Sequence, residues 1–196
     1  MSALTTLQQY WGYSGFRPMQ EEIIQAVLSG RDVFAMLPTG AGKSLCYQVP
    51  AMTMEGITIV VSPLIALIED QVQALNKRNI PAVSIHSGLD KLLLSQLMDE
   101  VADQQYKMVY VAPERLQSET FRALMIELPV RFIAVDEAHC ISQWGHDFRP
   151  AYRNIAEFRE LFPKVPVLAI TASATAAVQQ DICAQLKLHQ PQTFTQ

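Results

Sequence analysis

Phe34-Ala35-Met36-Leu37-Pro38-Thr39-Gly40-Ala41-Gly42-Lys43-Ser44 is the stretch from which the fold is read. An apolar, strand-like run from Val33 to Met36 enters a turn, and the turn opens into a helical pattern. That order suits a phosphate-binding loop. Small residues at Gly40, Ala41 and Gly42 let successive backbone N–H groups converge on phosphate oxygens, Lys43 supplies a point charge, and the Ser44 hydroxyl can ligate Mg²⁺ at a helix N-terminus. The stretch therefore reads as a nucleoside triphosphate site. The strict pattern G-x-x-x-x-G-K-[ST] places glycine where this chain has Leu37. The plainer reading is a glycine-rich turn that merely ends a strand, and the strand, loop and helix context weighs against it.

Working outward, the chain has 196 residues, 49% hydrophobic and 17% charged, enough for one globular domain with a sizeable core. Cys46, Cys140 and Cys183 are too few and too scattered for a disulfide framework or a zinc site, so a reducing compartment and no metal cluster are expected. The N-terminus has no basic start or long apolar run, and no stretch reaches the roughly 18 apolar residues of a membrane span. A soluble, intracellular protein without a membrane partner is the expectation. The formal charge of −4 argues against wrapping duplex DNA by charge alone, so any nucleic-acid contact must be local.

Residues 1 to 16 read as a short helix and an aromatic, glycine-rich turn. A second helix is predicted from Arg17-Pro18, with Ile23, Ile24, Val27 and Leu28 on one face and Gly30 as its stop. Apolar, β-rich runs recur at 57–61, 82–85, 107–111, 131–135 and 166–170, each followed by a helical pattern. Leu64, Ile68, Val72 and Leu75 share one helical face; Leu93, Leu97 and Val101 share another, as do Phe121, Leu124, Met125 and Leu128. This alternation predicts an α/β fold, a mainly parallel sheet with helices on both faces and sites at the carboxyl ends of the strands. The polar motifs fall at those ends: Leu37 to Ser44, Ser62-Pro63-Leu64, His86-Ser87-Gly88, Ala112 to Arg115, Asp136 to His139, and Thr171 to Thr175. Singly, Ser-Pro-Leu or Thr-Ala-Ser is an ordinary helix cap; six on one edge are not.

Phe132-Ile133-Ala134-Val135-Asp136-Glu137 is an apolar strand ending in two carboxylates. Asp136 is suited to hold a Mg²⁺ that bridges phosphates, and Glu137 to orient or deprotonate an attacking water. His139 has a weaker claim to relay nucleotide state, since a lone histidine beside carboxylates is often a hydrogen-bonded core residue.

The continuation, Asp-Glu-Ala-His followed by Cys140-Ile141-Ser142-Gln143-Trp144-Gly145-His146-Asp147-Phe148-Arg149-Pro150, closely resembles the RecQ family of DNA helicases within superfamily 2. Phe16-Arg17-Pro18-x-Gln20, Leu37 to Gln48, Val61 to Leu64 and Ala112 to Leu116 join the resemblance, which covers nearly the whole chain. It implies a RecA-like P-loop NTPase lobe across residues 1–196 of a motor that tracks single-stranded DNA 3′ to 5′ and separates duplexes in repair and recombination, with ATP and Mg²⁺ as cofactors and Lys43, Asp136, Glu137 and His139 at the reaction. It further implies that Arg17 and Gln20 read adenine and Thr39 to Ser44 hold the phosphates, while Ser62, Ser87 and Arg115 lie along single-stranded DNA. Trp144, His146, Phe148 and Arg149 would form an aromatic-rich loop that reports DNA to the ATP site. The partners implied are single-stranded DNA, duplex junctions and a second RecA-like lobe, which is not found before Gln196; the location implied is cytoplasmic, beside the nucleoid in a bacterium. An RNA helicase lobe and a non-hydrolysing nucleotide-binding module are the alternatives.

Overall fold

The computed structural model describes residues 1–196, and its sheet is built of seven strands: β1 (Val33–Met36), β2 (Ile57–Val61), β3 (Ala82–Ile85), β4 (Met108–Val111), β5 (Val130–Val135), β6 (Val167–Thr171) and β7 (Gln192–Thr195). They lie in the order β3-β4-β2-β5-β6-β1-β7, and every neighbouring pair is parallel. The helices are α1 (Ala3–Trp11), α2 (Gln20–Leu28), α3 (Leu45–Thr53), α4 (Ile65–Asn76), α5 (Lys91–Ala102), α6 (Glu119–Glu127), α7 (Asn154–Glu160) and α8 (Ala176–Gln185).

The period-two alternation of side chains divides the core between the two sheet faces. Val33, Ala35, Val60, Phe132, Ala134, Leu168 and Ile170 face α2, α3 and α4, meeting Ile23, Val27, Tyr47, Ile68, Val72 and Leu75. Phe34, Ile59, Val61, Ile133, Val135, Val167 and Ala169 point the other way, onto Val101, Phe121, Met125, Phe158, Val178 and Ile182 from α5 to α8. The α1 helix lies outside α2 and α3, where Ala3 and Leu7 meet Ile24 and Val49. No helix is long and apolar enough to cross a membrane.

Four sequence expectations are corrected here. A seventh strand, β7, pairs with β1 at the sheet edge; with Phe194 as its one apolar residue and a half-exposed pattern, it carries no apolar run. The α2 helix starts at Gln20 rather than Arg17-Pro18, because Met19 adopts a left-handed conformation (φ 68°) and a separate turn, closed by Gln20 N–H on the Arg17 carbonyl at 3.1 Å, precedes it. Leu64 stands outside the buried face of α4 as its exposed N-cap, and Leu93 is likewise exposed on α5, where Val101 is the buried residue.

Candidate functional site

At the carboxyl end of β1 the backbone runs on through Leu37, whose N–H donates to the Thr171 carbonyl at 3.1 Å and whose side chain is fully buried. Leu37 therefore extends the β1–β6 pairing and fills the core, and the turn proper begins at Pro38. This is why an apolar residue stands where the strict loop pattern has glycine. Gly40 and Gly42 then take left-handed conformations (φ 80° and 78°), and Ser44 caps α3. At Gly42 a Cβ would lie 2.5 Å from Gln20 Nε2, so both the backbone conformation and the close approach call for glycine.

That approach is made by the side chain expected to read adenine. Gln20, only 1% exposed, donates from Nε2 to the carbonyls of Ala41 (3.1 Å) and Gly42 (3.0 Å), while its Oε1 accepts the Arg17 N–H at 2.9 Å. The Arg17 guanidinium in turn donates to the Gly40 carbonyl. In this conformation both residues brace the loop, and Gln20 presents neither end of its amide to a ligand. Beside them Trp11, Tyr13, Ser14 and Gly15 close a cavity of about 390 Å³ that reaches Ser44 and Leu45. The aromatic turn before α2, which carries no motif, thus walls the space next to the loop.

Asp136 follows β5, one strand away from β1 across β6. Its N–H donates to the Val61 carbonyl at 2.9 Å, which carries the β2–β5 ladder one residue past the strand end, and its own carbonyl accepts the Tyr152 hydroxyl at 2.8 Å. The carboxylate accepts the Glu137 N–H on Oδ1 (2.9 Å) and faces the Tyr47 hydroxyl on Oδ2 (3.2 Å). Burial, then the neighbouring Glu137 charge, push its pKa up to about 6. Glu137 has a left-handed backbone (φ 49°), uncommon for a residue with a Cβ, which turns the chain sharply after the strand. Together Gly40, Gly42, Lys43, Ser44, Leu67, Gln71, Asp136 and Glu137 line one cavity of about 340 Å³. The loop and the carboxylate pair, 92 residues apart from Ser44 to Asp136, are thus brought to a shared space; Leu67 and Gln71 of α4 join them without a sequence motif to announce it.

His139 is buried between the carboxylates and β6. Its Nδ1 lies 2.8 Å from Thr171 Oγ1 and 3.3 Å from Glu137 Oε2. Burial, then the adjacent His146, hold its pKa below the ordinary histidine value. The His146 ring stacks on it at a centroid distance of 4.6 Å, and the Arg149 N–H donates to the Cys140 carbonyl at 2.8 Å. The 142–150 loop is thus fastened directly to the segment that carries Asp136 and Glu137. His139, Cys140 and Asp147 bring ligand-type atoms within 4.8 Å of one another; burial pushes the Cys140 thiol up to about 12, and it donates to Asp147 Oδ2 at 3.7 Å.

The loop residues divide. Trp144 is 77% exposed and His146 is exposed, whereas Phe148 is half-buried with the Arg153 guanidinium 5.2 Å from its ring centre. Arg149 is already engaged, donating to Asp147 Oδ2 (3.2 and 3.3 Å) and to the Pro63 carbonyl (3.2 Å), which ties the loop to the turn after β2. Ser62, expected along the DNA strand, is 1% exposed and its hydroxyl has no partner; in this conformation Pro63 and Leu64 form the accessible part of that turn. Ser87 is exposed, on a turn shaped by His86, whose Nδ1 accepts the Gly88 N–H at 3.1 Å and whose Nε2 meets Glu69 at 3.1 Å. Arg115 is half-buried beside it, its Nε unpartnered, on a groove with Lys91, Ser95 and Ser118.

A family model described as DEAD/DEAH box helicase matches residues 17–182. The chain belongs to the DEAD/DEAH box helicase family. Within it, the ATP-dependent DNA helicase RecQ of Haemophilus influenzae is 45% identical over 187 residues, covering 95% of this chain and 30% of that protein. RecQ of Bacillus subtilis is 47% identical over 193 residues, covering 97% of this chain and 33% of the relative. The ATP-dependent DNA helicase Q-like 4B of Arabidopsis thaliana is 46% identical over 186 residues, or 91% of this chain and 16% of that protein. The chain therefore spans about a third or less of the length of these relatives, and the resemblance to RecQ helicases is borne out. Among solved structures, the helicase MrfA bound to DNA superposes with a TM-score of 0.78 at 17% identity over 99% of this chain and 29% of that one. The DEAD-box helicase Mss116 bound to single-stranded RNA and UDP-BeF gives 0.73 at 19% identity over 100% of this chain and 42% of its own. These likenesses show the fold, a RecA-like helicase lobe.

Proposed function

We propose that residues 1–196 form one ATP-binding motor lobe of a DNA helicase that moves 3′ to 5′ on single-stranded DNA, and that a second RecA-like lobe completes the motor in the whole protein. The observation that carries this is the single cavity lined by Gly42, Lys43, Ser44, Asp136 and Glu137. The relatives named DNA helicases, at 45–47% identity, favour DNA over RNA as the track. Such a protein works inside the cell, where DNA is.

The donor set fits Mg·ATP. Left-handed Gly40 and Gly42 leave room for backbone N–H groups to approach phosphates, and the Ser44 hydroxyl and Asp136 carboxylate are the hard oxygen ligands that Mg²⁺ prefers. When bound, the metal ion would neutralise charge on the terminal phosphates. Lys43 holds the same phosphates by charge. Glu137 orients the attacking water and accepts its proton, while His139, anchored on Thr171, keeps the Glu137 carboxylate in place. Opening the 390 Å³ cavity to adenine requires Gln20 and Arg17 to exchange their bonds with the loop for bonds to the base and its nucleotide. Trp144 offers an exposed face on which a base can stack.

The test is ATP turnover by the complete protein with no nucleic acid, with single-stranded DNA and with single-stranded RNA. Stimulation by DNA, abolished in Lys43→Ala, is the expected result. Stimulation by RNA alone would favour the RNA helicase alternative, and undiminished turnover in Lys43→Ala would sink the nucleotide-site assignment.

A further inference from the structure

We propose that Tyr47 is a positioning residue for the Asp136 carboxylate, with Gln71 of α4 setting the direction of its hydroxyl. This rests on the assignment of the cavity as a Mg·nucleotide site and adds two residues to it. Tyr47 is fully buried, three positions after Ser44 on the first turn of α3. Burial alone would make it a core residue, but its hydroxyl lies 3.2 Å from Asp136 Oδ2 and 3.0 Å from Gln71 Oε1. A phenol has one proton to donate to these two acceptors.

The competition is settled by what else reaches Gln71. Its Oε1 also faces the Tyr110 hydroxyl at 3.0 Å and Gln48 Nε2 at 3.4 Å, so three donors converge on a carbonyl oxygen with two lone pairs. Tyr110 and Gln48 can fill those lone pairs, which leaves the Tyr47 proton for the carboxylate. Asp136 is then held at both oxygens, by the Glu137 N–H on Oδ1 and by Tyr47 on Oδ2. Two fixed donors set the plane of the carboxylate, and Asp136 lines the cavity shared with Lys43 and Ser44. Because Ser44 and Tyr47 ride on one helical turn, the hydroxyl expected to ligate the metal and the hydroxyl that orients the other ligand move together. Partners that orient a metal ligand in this way set metal affinity, typically by 10- to 100-fold.

The experiment follows binding of a fluorescent, non-hydrolysable ATP analogue to the 196-residue chain as Mg²⁺ is varied, beside direct Mn²⁺ titration read by electron paramagnetic resonance. In Tyr47→Phe the metal concentration at half-saturation should rise about tenfold in both measurements, with metal-free analogue affinity changed by less than about twofold. Tyr110→Phe frees a lone pair on the same glutamine but leaves the Tyr47 hydroxyl beside Asp136, so its half-saturation should rise by less than in Tyr47→Phe, by about threefold at most. An unshifted metal dependence in Tyr47→Phe, or an equal shift in Tyr110→Phe, would overturn the positioning role while leaving the nucleotide site intact. Wild-type chain showing no metal-dependent analogue binding would overturn the site assignment and this inference with it.

Discussion

Asp136 pays for its position at a buried strand end with a pKa raised from 3.8 to about 6. The folded chain holds this proton more tightly than the unfolded one, so folding stability is greatest below the unfolded value and falls as pH rises toward the folded one. Across a window from about pH 4 to pH 6 the loss amounts to roughly 3 kcal/mol for the metal-free protein. Asp136→Asn should remove this contribution. Stability measured by urea unfolding should therefore fall with pH more steeply in wild type than in the variant; parallel curves would contradict the shift. Glu137, turned toward the same cavity but on a left-handed backbone, should behave differently. Glu137→Gln leaves Lys43 and Ser44 untouched, so ATP binding by the complete protein should persist while turnover drops by about 10² to 10⁴. Equal loss of binding and turnover would refute its assignment to water activation. Both carboxylates were legible in the sequence because an apolar run ends at them. Tyr47 and Gln71 were not, because a tyrosine and a glutamine inside helices carry no pattern that separates a packing residue from one aimed at a site. Gln20 was legible by position, but its turn inward onto the loop depends on Gly42, which is 22 residues away.

At the scale of elements, strands β1 to β6 could be read because buried parallel strands are continuous apolar runs. β7 escaped because an edge strand satisfies its backbone on one side and needs little apolar surface. The 142–150 loop shows what element-level reading can and cannot give. Its aromatic content marks it, but composition does not separate a core tryptophan from an exposed one; the fold places Trp144 77% exposed and half-buries Phe148 under Arg153. The loop is fastened at His139 and Cys140 on one side and, through Arg149, at Pro63 on the other. A strand that stacks on Trp144 therefore acts on an element already joined to Glu137, and a phosphate drawn to Arg149 competes with Asp147 for it. Trp144→Ala should change folding stability by no more than about 0.5 kcal/mol, the range of an exposed substitution. In the complete protein it should leave basal ATP turnover nearly unchanged and reduce its stimulation by single-stranded DNA. A marked fall in melting temperature, with basal and stimulated rates lost together, would show the tryptophan to be structural.

Over the whole molecule, chemistry and anchoring occupy opposite ends of the sheet. The cavity lies at the carboxyl ends of β1 and β5, whereas Asp32, just before β1, gathers the other end. Its Oδ1 accepts the Val167 N–H at 2.9 Å, its Oδ2 accepts the His189 N–H at 2.6 Å and pairs with Arg159, and its carbonyl accepts the Gln192 N–H at 2.9 Å. Arg159 donates in turn to the carbonyls of Leu186 and Lys187, closing the end of α8. One buried ion pair thus ties β1, β6, α7, the end of α8 and the start of β7. Both charges are nearly buried at the edge of a cavity and held by several hydrogen bonds, so deleting one strands the other. Arg159→Met, which keeps most of the volume, should cost about 3 to 5 kcal/mol, and at about 2 to 4 °C per kcal/mol for a domain of this size the melting temperature should fall by about 6 to 20 °C. The pair is remote from the cavity, so below the new transition the variant should bind the ATP analogue with wild-type affinity. Melting within about 2 °C of wild type would show that water reaches the pair and screens it. A stable fold with lost nucleotide binding would show instead that the two ends of the sheet are coupled.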